Sequence, residues 1–377
     1  MTRAMAVLVF AMWVSTVLWV STARAQTDTF SIQDGPAHGP DWLAIGGHGE
    51  LRLGEDRVRG VTNPEWFSVS RVNGFVHFTP SSHWRMALEG TFDHPTDHFV
   101  MERIEVGFRS APSLEIHGGI FPLPLGRVNL SHDSPRSEFT ELSLVATQLI
   151  GVPNAMPGLG LKGTAHEGSL AYEVDLVTGF SDGLITESSG GTRLPMGRSN
   201  YGDGNGWPAL TGRLSLHPND KTEWGLGGLT GPYNDTQVGS VAVDETRWVH
   251  LFVLDGRTSW AGMRLAGEAG VAIIDVPPSL QGLYAQDQWG ASIEASRILF
   301  DPIFTKHTSL SFALRADAVD LDRAQDGDSR ERVSASLNIH RQPTSVMRFG
   351  WYYELARDRF ANNTPKAGLT FTAATYF

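Results

Sequence analysis

The sequence predicts an all-β protein, an antiparallel transmembrane β-barrel of about 16 strands with short periplasmic turns and long extracellular loops. Three observations carry that expectation. Apolar and polar residues alternate in many segments, tight and long connections follow one another in a regular rhythm, and past residue 25 no apolar run is long enough for a membrane-crossing helix.

Alternation is clearest between Trp84 and Asp93. Trp84, Met86, Leu88, Gly90 and Phe92 fall on one face, and Arg85, Ala87, Glu89, Thr91 and Asp93 on the other. That period of two suits a strand with one face in lipid and one in water. The split recurs at Leu114, Ile116, Gly118 and Ile120 against Glu115, His117 and Gly119, and at Leu170, Tyr172, Val174 and Leu176 against Ala171, Glu173 and Asp175. Near the end it returns at Leu310 to Asp317, at Val333 to His340, and at Leu369 to Phe377. A soluble sandwich also alternates, but it lacks the strict short–long rhythm of connections.

Tight turns are expected at Thr79–Ser82, Ser110–Ser113, Ala165–Gly168, Pro218–Lys221, Asp255–Thr258 and Arg341–Thr344, with a less regular one over Phe300–Lys306. Proline presets φ there, while glycine, asparagine and aspartate tolerate the reversal. Seven hairpins joined at one end, plus a strand at each terminus, give about sixteen strands. Trp84, Trp224 and Trp260 lie just after such turns and Phe78 just before one, which is where an interfacial aromatic girdle belongs.

The N-terminus reads as an export signal. Arg3 supplies positive charge, Ala6 to Val20 is apolar but for Ser15 and Thr16, and Ala23-Arg24-Ala25 has the small-x-small form of a cleavage site before Gln26. Residues 1–25 are therefore expected to be a cleaved signal peptide, residues 26–41 a short periplasmic segment, and residues 42–377 the barrel; the alternating strand that ends on Phe377 resembles the closing strand of outer-membrane barrels, which implies the outer membrane of a Gram-negative cell. Removing Arg3 and Arg24 from 30 basic residues leaves 28 against 41 acidic ones, a net charge of −13. That balance argues against nucleic acid as a partner. With no cysteine, the chain has no disulfide, thiolate metal site or cysteine nucleophile. No cofactor and no metal are expected.

The longest stretch without alternation is the 34 residues Pro122 to Ala155, and loops of that length are usually functional or disordered. It opens with Gly118-Gly119-Ile120-Phe121-Pro122-Leu123-Pro124-Leu125-Gly126, followed by Asn129 and Ser131-His132-Asp133. Through these residues and the strand count the chain resembles the outer-membrane porins, and more narrowly their phosphate-selective type. The resemblance implies a loop 122–155 folded into the lumen and a water-filled channel for passive diffusion of small hydrophilic solutes or ions, anions such as phosphate among them. It also implies a homotrimer surrounded by outer-membrane lipid and lipopolysaccharide. The terminal aromatic Phe377 would be the signal read by the barrel-assembly machinery.

A pore selects ions by the charges lining its constriction. Candidate lining residues are Arg127, His132, Arg136 and Glu138 from the loop, with Arg85, Arg103 and Arg315 from the wall. Further inward basic positions (Arg52, Arg109, Lys162, Arg213, Arg264) are matched by acidic ones (Glu50, Glu89, Glu105, Glu115, Glu173, Asp175, Glu268, Asp317). This balance predicts weak selectivity and counts against a basic phosphate ladder. The Asp93, His94, Asp97 and His98 cluster reads as a polar loop tip. Ser131, His132 and Asp133 cannot form a hydrolase triad as sequence neighbours, and Gly158 and Gly160 suggest a flat or bulged strand. The alternatives are a barrel enzyme of phospholipase or protease type and a substrate-gated transporter.

Overall fold

The computed structural model describes residues 38–377 apart from 94–97, 112, 189, 239, 342 and 343. The expected signal peptide, residues 26–37, and His94 and Asp97 of the acidic–histidine cluster lie outside the described residues, as do parts of the turns at Ser110–Ser113 and Arg341–Thr344.

Period-two alternation produces strands throughout. In chain order they are β1 (Leu43–Val58), β2 (Val61–Phe78), β3 (Trp84–Asp93), β4 (His98–Ala111), β5 (Leu114–Pro122), β6 (Ala155–Ala165), β7 (Leu170–Val177), β8 (Ala209–Asn219) and β9 (Thr222–Pro232). After the short pair β10 (Gln237–Val238) and β11 (Val241–Ala242) come β12 (Trp248–Trp260), β13 (Met263–Ile274), β14 (Asp287–Phe300), β15 (Thr308–Asp320), β16 (Ser329–Arg341), β17 (Ser345–Arg357) and β18 (Asn363–Tyr376). All but β10 and β11 form one closed antiparallel barrel of 16 strands, each bonded to its chain neighbour, with β9 meeting β12. The expected fold class is borne out.

The seam joins β1 to β18, with Leu51 opposite Ala373. Phe377 continues it: its N–H donates to the Gly47 carbonyl at 3.0 Å, and its carbonyl accepts from the Gly47 N–H at 3.1 Å. Closure leaves no unpaired edge, so backbone polar groups are satisfied within the wall, as a lipid environment requires. The outer face is a band of exposed apolar side chains, Leu88, Leu159, Leu254, Phe349 and Leu369 among them. At the short-turn end the band meets aromatics: Trp42 packs edge-on to Phe78 with ring centroids 5.8 Å apart, Trp84 lies 4.9 Å from Phe108, and Trp260 is exposed. No helix among the described residues is long and apolar enough to cross a membrane.

One expected turn is misplaced. Asp255–Thr258 lies inside β12, and the reversal falls at Ala261-Gly262, where φ is 52° and 77°. Asp-Gly is a strong hairpin signal, but Asp255 points inward and its carboxylate takes two hydrogen bonds from Arg213, at 2.5 and 2.8 Å. That buried pair keeps the strand going. Trp260 therefore precedes its turn instead of following it. At the other end β1 and β2 are joined by only Arg59-Gly60, so the connections at the long-loop end are not uniformly long.

The apolar core lies inside the long-loop mouth of the barrel. There Leu229, Val249, Leu251, Val253, Ala272 and Ile274 face inward from β9, β12 and β13, and they are covered by Leu144, Val145, Leu149 and Ile150 of the 122–155 segment. Phe180, Leu184, Ile185 and Leu194, from the connection between β7 and β8, complete the cluster. Arg198 of that connection donates to the Gly151 and Pro153 carbonyls, locking the two segments together.

Candidate functional site

The inner wall becomes polar towards the short-turn end. The rung Glu115–Lys162–Glu173–Arg213 crosses β5 to β8, and beside it runs His117–Gly160–Asp175–Thr211. Arg85 on β3 joins this wall, with Nη2 2.7 Å from Glu105 and Nε 2.5 Å from Glu115. Arg103 on β4 lies 3.2 Å from Glu105 and 3.6 Å from Glu89. Lys162 adds a third cation to Glu105, at 2.7 Å. Buried carboxylates of this kind need matched partners, because an unpaired ion in low dielectric is costly.

Above this network the 122–155 segment crosses the lumen and bonds to wall strands around much of the ring. Its neck is closed by Asn129, whose Nδ2 donates to the Leu123 and Asn154 carbonyls at 2.8 and 2.9 Å, while its Oδ1 accepts from the Asn154 N–H at 2.7 Å. The helix Gly126–Leu130 then runs beside β12 and β9, with the Val128 N–H 3.2 Å from Glu268 of β13. Gly126 has φ of 76°, and a Cβ there would sit 2.1 Å from the Glu268 carboxylate. Both the left-handed backbone and the close approach require glycine.

The candidate lining residues divide into two groups. Arg127 pairs with Glu294 of β14 at 3.0 Å, and His132 Nε2 lies 2.9 Å from Glu102 of β4. These two, with Arg85 and Arg103, border a cavity of about 290 Å³ that extends from His217, Glu223 and Arg257 near the turns to the underside of the segment. The other three lie away from that cavity. Arg136 is 3.9 Å from Asp133 and stacks over the Tyr376 ring. Glu138 accepts from Arg264, from Ser311 at 2.9 Å and from Asn338 at 2.7 Å. Arg315 is buried beneath the segment, 4.5 Å over the Phe139 ring and 3.0 Å from Asp317. Asp317 in turn accepts the Leu144 N–H, so Arg315 supports the segment from below.

Two segment groups have displaced pKa values. Burial works against a charge on His132, yet the Glu102 carboxylate outweighs it and holds the imidazole pKa above its ordinary value. Burial likewise opposes ionisation of Glu138, but His340 and Arg264 overcome it and bring the carboxyl down to about 2. Contact with the wall thus favours the charged form of each group. Ser131, His132 and Asp133 do not act as a unit: His132 turns to Glu102, and Asp133 accepts from Tyr376 at 2.8 Å.

Sequence reasoning missed two anchors because they rest on bulges. Glu89 pairs with Arg103 but Gly90 with Met101, so Glu102 is the extra residue, turned inward to meet His132. In β2, Glu50 pairs with Arg71 but Leu51 with Val69, so Ser70 is extra and donates to Glu50 at 2.6 Å. Bulges redirect side chains in this way, and a strict period of two hides them. The fully buried Arg348 on β17 was also missed: its guanidinium contacts Glu50 at 2.6 Å, the Ser134 and Ser137 carbonyls at 2.6 and 3.0 Å, Ser134 Oγ at 2.8 Å and Thr372 at 2.9 Å.

No protein-family model and no curated protein matches this chain. Solved structures do. The outer membrane channel DcaP of Acinetobacter baumannii aligns with a TM-score of 0.58 at 10% identity, covering 91% of this chain and 100% of its own. OmpF of Salmonella typhi, in complex with daunomycin, gives 0.58 at 9% identity over 91% of this chain and 100% of its own. OprB of Pseudomonas putida gives 0.57 at 10% identity over 89% and 94%. The fold is that of the outer-membrane β-barrels. At these identities the likeness extends to the fold alone.

Within this barrel the cavity lining is electrically balanced. Six arginine or lysine side chains (Arg85, Arg103, Arg127, Lys162, Arg213, Arg257) face six acidic ones (Glu89, Glu102, Glu105, Asp133, Glu173, Glu223). The bases are also engaged locally, Arg213 with Asp255 at 2.5 Å and Arg257 with Glu223 at 2.9 Å. Such a surface carries no concentrated field of one sign.

Proposed function

We propose that the protein is an outer-membrane porin, a passive channel for small hydrophilic solutes and ions with weak charge preference. The observation that carries this reading is the combination of an apolar outer band with a lumen cavity whose six arginine and lysine side chains are matched by six carboxylates. Phosphate specificity is not favoured, because the cavity's bases are matched by carboxylates. The channels among the solved structures of the same fold support the general reading. In it, the 122–155 segment is the constriction, with Arg127 and His132 at the narrowing and Arg85 and Arg103 on the wall below.

The same reading places the mature protein in the outer membrane of a Gram-negative cell after removal of residues 1–25. Lipid and lipopolysaccharide surround the apolar band, and the barrel-assembly machinery recognises the terminal strand ending in Phe377. A homotrimer is the proposed assembly; one of the structures with this fold, OmpT of Vibrio cholerae, is described in a trimer form. Liposome swelling with neutral sugars of increasing size tests the channel. Swelling that falls off with solute radius is expected, whereas liposomes that do not swell with any sugar while the barrel is folded would rule out passive diffusion.

A further inference from the structure

We propose that His117, Glu173 and Asp175 form a binding site for one divalent transition-metal ion, zinc being the best match, in the barrel wall. His117 comes from β5 and both carboxylates from β7, and the strand between them carries Gly160 in the same rung. Because Gly160 has no side chain, the imidazole and the carboxylates meet across it. A Cβ at Gly160 would lie 1.8 Å from Asp175 Oδ1 and 2.8 Å from His117 Nε2, so the space opposite the glycine is already taken by donor atoms.

One donor from each of the three side chains lies within 4.8 Å of the others. His117 Nε2 is 2.9 Å from Asp175 Oδ1 and 3.8 Å from Glu173 Oε1. Zinc bonds to nitrogen and oxygen of roughly 2.0–2.2 Å put tetrahedral ligands about 3.3 Å apart, and these separations straddle that value. A second observation, on Asp175 itself, points to a ligand. Asp175 is 1% exposed, and its Oδ2 is buried without a hydrogen-bond partner. A buried carboxylate oxygen in that state is costly, and a cation held by both Asp175 oxygens would remove the cost.

The surroundings fit a metal as well. The other ring nitrogen, His117 Nδ1, lies 3.2 Å from the Glu105 carboxylate without hydrogen-bond geometry, close enough for that carboxylate to take its proton once the ring is held by a metal. Lys162, the nearest competing cation in the next rung, is engaged 2.7 Å from Glu105. Glu173 borders the lumen cavity, so an ion reaches the site through lumen water, and a water molecule can complete its coordination. A neutral imidazole with two carboxylates balances a dication, and nitrogen with carboxylate oxygen is a donor set zinc accepts. The site stands whether or not the barrel conducts.

Calorimetric titration of the purified, folded barrel with zinc chloride, paralleled by the visible absorption of added cobalt(II), tests the proposal. One saturable zinc per chain is expected, together with a tetrahedral cobalt spectrum. Glu173→Gln and Asp175→Asn should each weaken zinc at least tenfold. Glu223→Gln, in the same cavity but outside the cluster, should leave it unchanged. Heat-modifiable migration reports folding of each variant, and Glu173 is on the cavity surface, where an amide is accommodated even if Asp175→Asn fails to fold. Absence of saturable binding to the wild-type barrel, or an unchanged affinity in folded Glu173→Gln, would mean that His117 and Asp175 are only a hydrogen-bonded pair and would overturn the proposal.

Discussion

Arg348→Met is the substitution that should release the 122–155 segment while leaving the barrel closed. Methionine keeps the apolar stem and removes the guanidinium. That deletes five hydrogen bonds, to Glu50, the Ser134 hydroxyl and carbonyl, the Ser137 carbonyl and Thr372. It also leaves the buried Glu50 carboxylate without its cation. Removing one partner of a buried ion pair costs roughly 3–5 kcal/mol. The β17 ladders use main-chain groups and are untouched, so the cost falls on the contact between wall and segment. At about 1.4 kcal/mol per factor of ten, local opening should rise at least a hundredfold. Limited trypsinolysis reads it directly: cleavage between Arg136 and Ser137 should accelerate in proportion to the open population when cleavage is slower than reclosure. Heat-modifiable migration should still report a closed barrel. Adding Glu50→Gln should recover much of the protection by neutralising the stranded carboxylate. Wild-type cleavage rates in a folded Arg348→Met barrel would show that this latch does not hold the segment.

Arg85→Glu should move the reversal potential towards cations, because it reverses a charge on the cavity wall; no movement across a salt gradient would remove Arg85 from the ion path. Arg315→Gln should increase channel noise and trypsin access more than it alters selectivity, since Arg315 lies under the segment and donates to the Leu142 carbonyl at 3.2 Å. The two segment ions give opposite pH limits. His132, with its folded pKa raised, contributes fully below its ordinary 6.5 and loses that contribution as pH rises through the raised value. Glu138, depressed from 4.5 to about 2, contributes above 4.5 and is lost as pH falls towards 2. Trypsin protection of the segment near neutrality should therefore fall on the alkaline side, and His132→Gln should abolish that alkaline loss. Leu149→Ala should loosen the segment by roughly 2–5 kcal/mol, the cost of a buried leucine cavity, with hydrogen exchange rising over 144–151 and not in the barrel strands.

Most of the wall was legible because lipid outside and water inside impose a period of two. Trp84 to Phe92 and Leu170 to Leu176 show it without interruption, and their polar partners do face the lumen. The reading failed where one residue breaks that period or one contact overrides a local signal. Glu102 and Ser70 turn inward only because their strands bulge, and Asp255-Gly256 stays extended because Arg213 claims the aspartate. The segment's length and its charged residues were visible, as was the charge balance of the wall. Its apolar helix, Val145–Ile150, was not legible from alternation, because a helical turn of six residues shows no period of two. The spacing of Leu144, Val145, Leu149 and Ile150 was the available signal. Arg348 carried no signal at all: its role depends on pairing with Glu50, which is 298 residues away in the chain.

Single-channel recording of the purified mature protein in a planar bilayer, with reversal potential measured across a salt gradient, tests the central claim most directly. The balanced lumen predicts stepwise, ohmic conductance and a reversal potential near zero. A folded barrel that inserts but never conducts, or one whose reversal potential approaches the limit for a single ion sign, would contradict it.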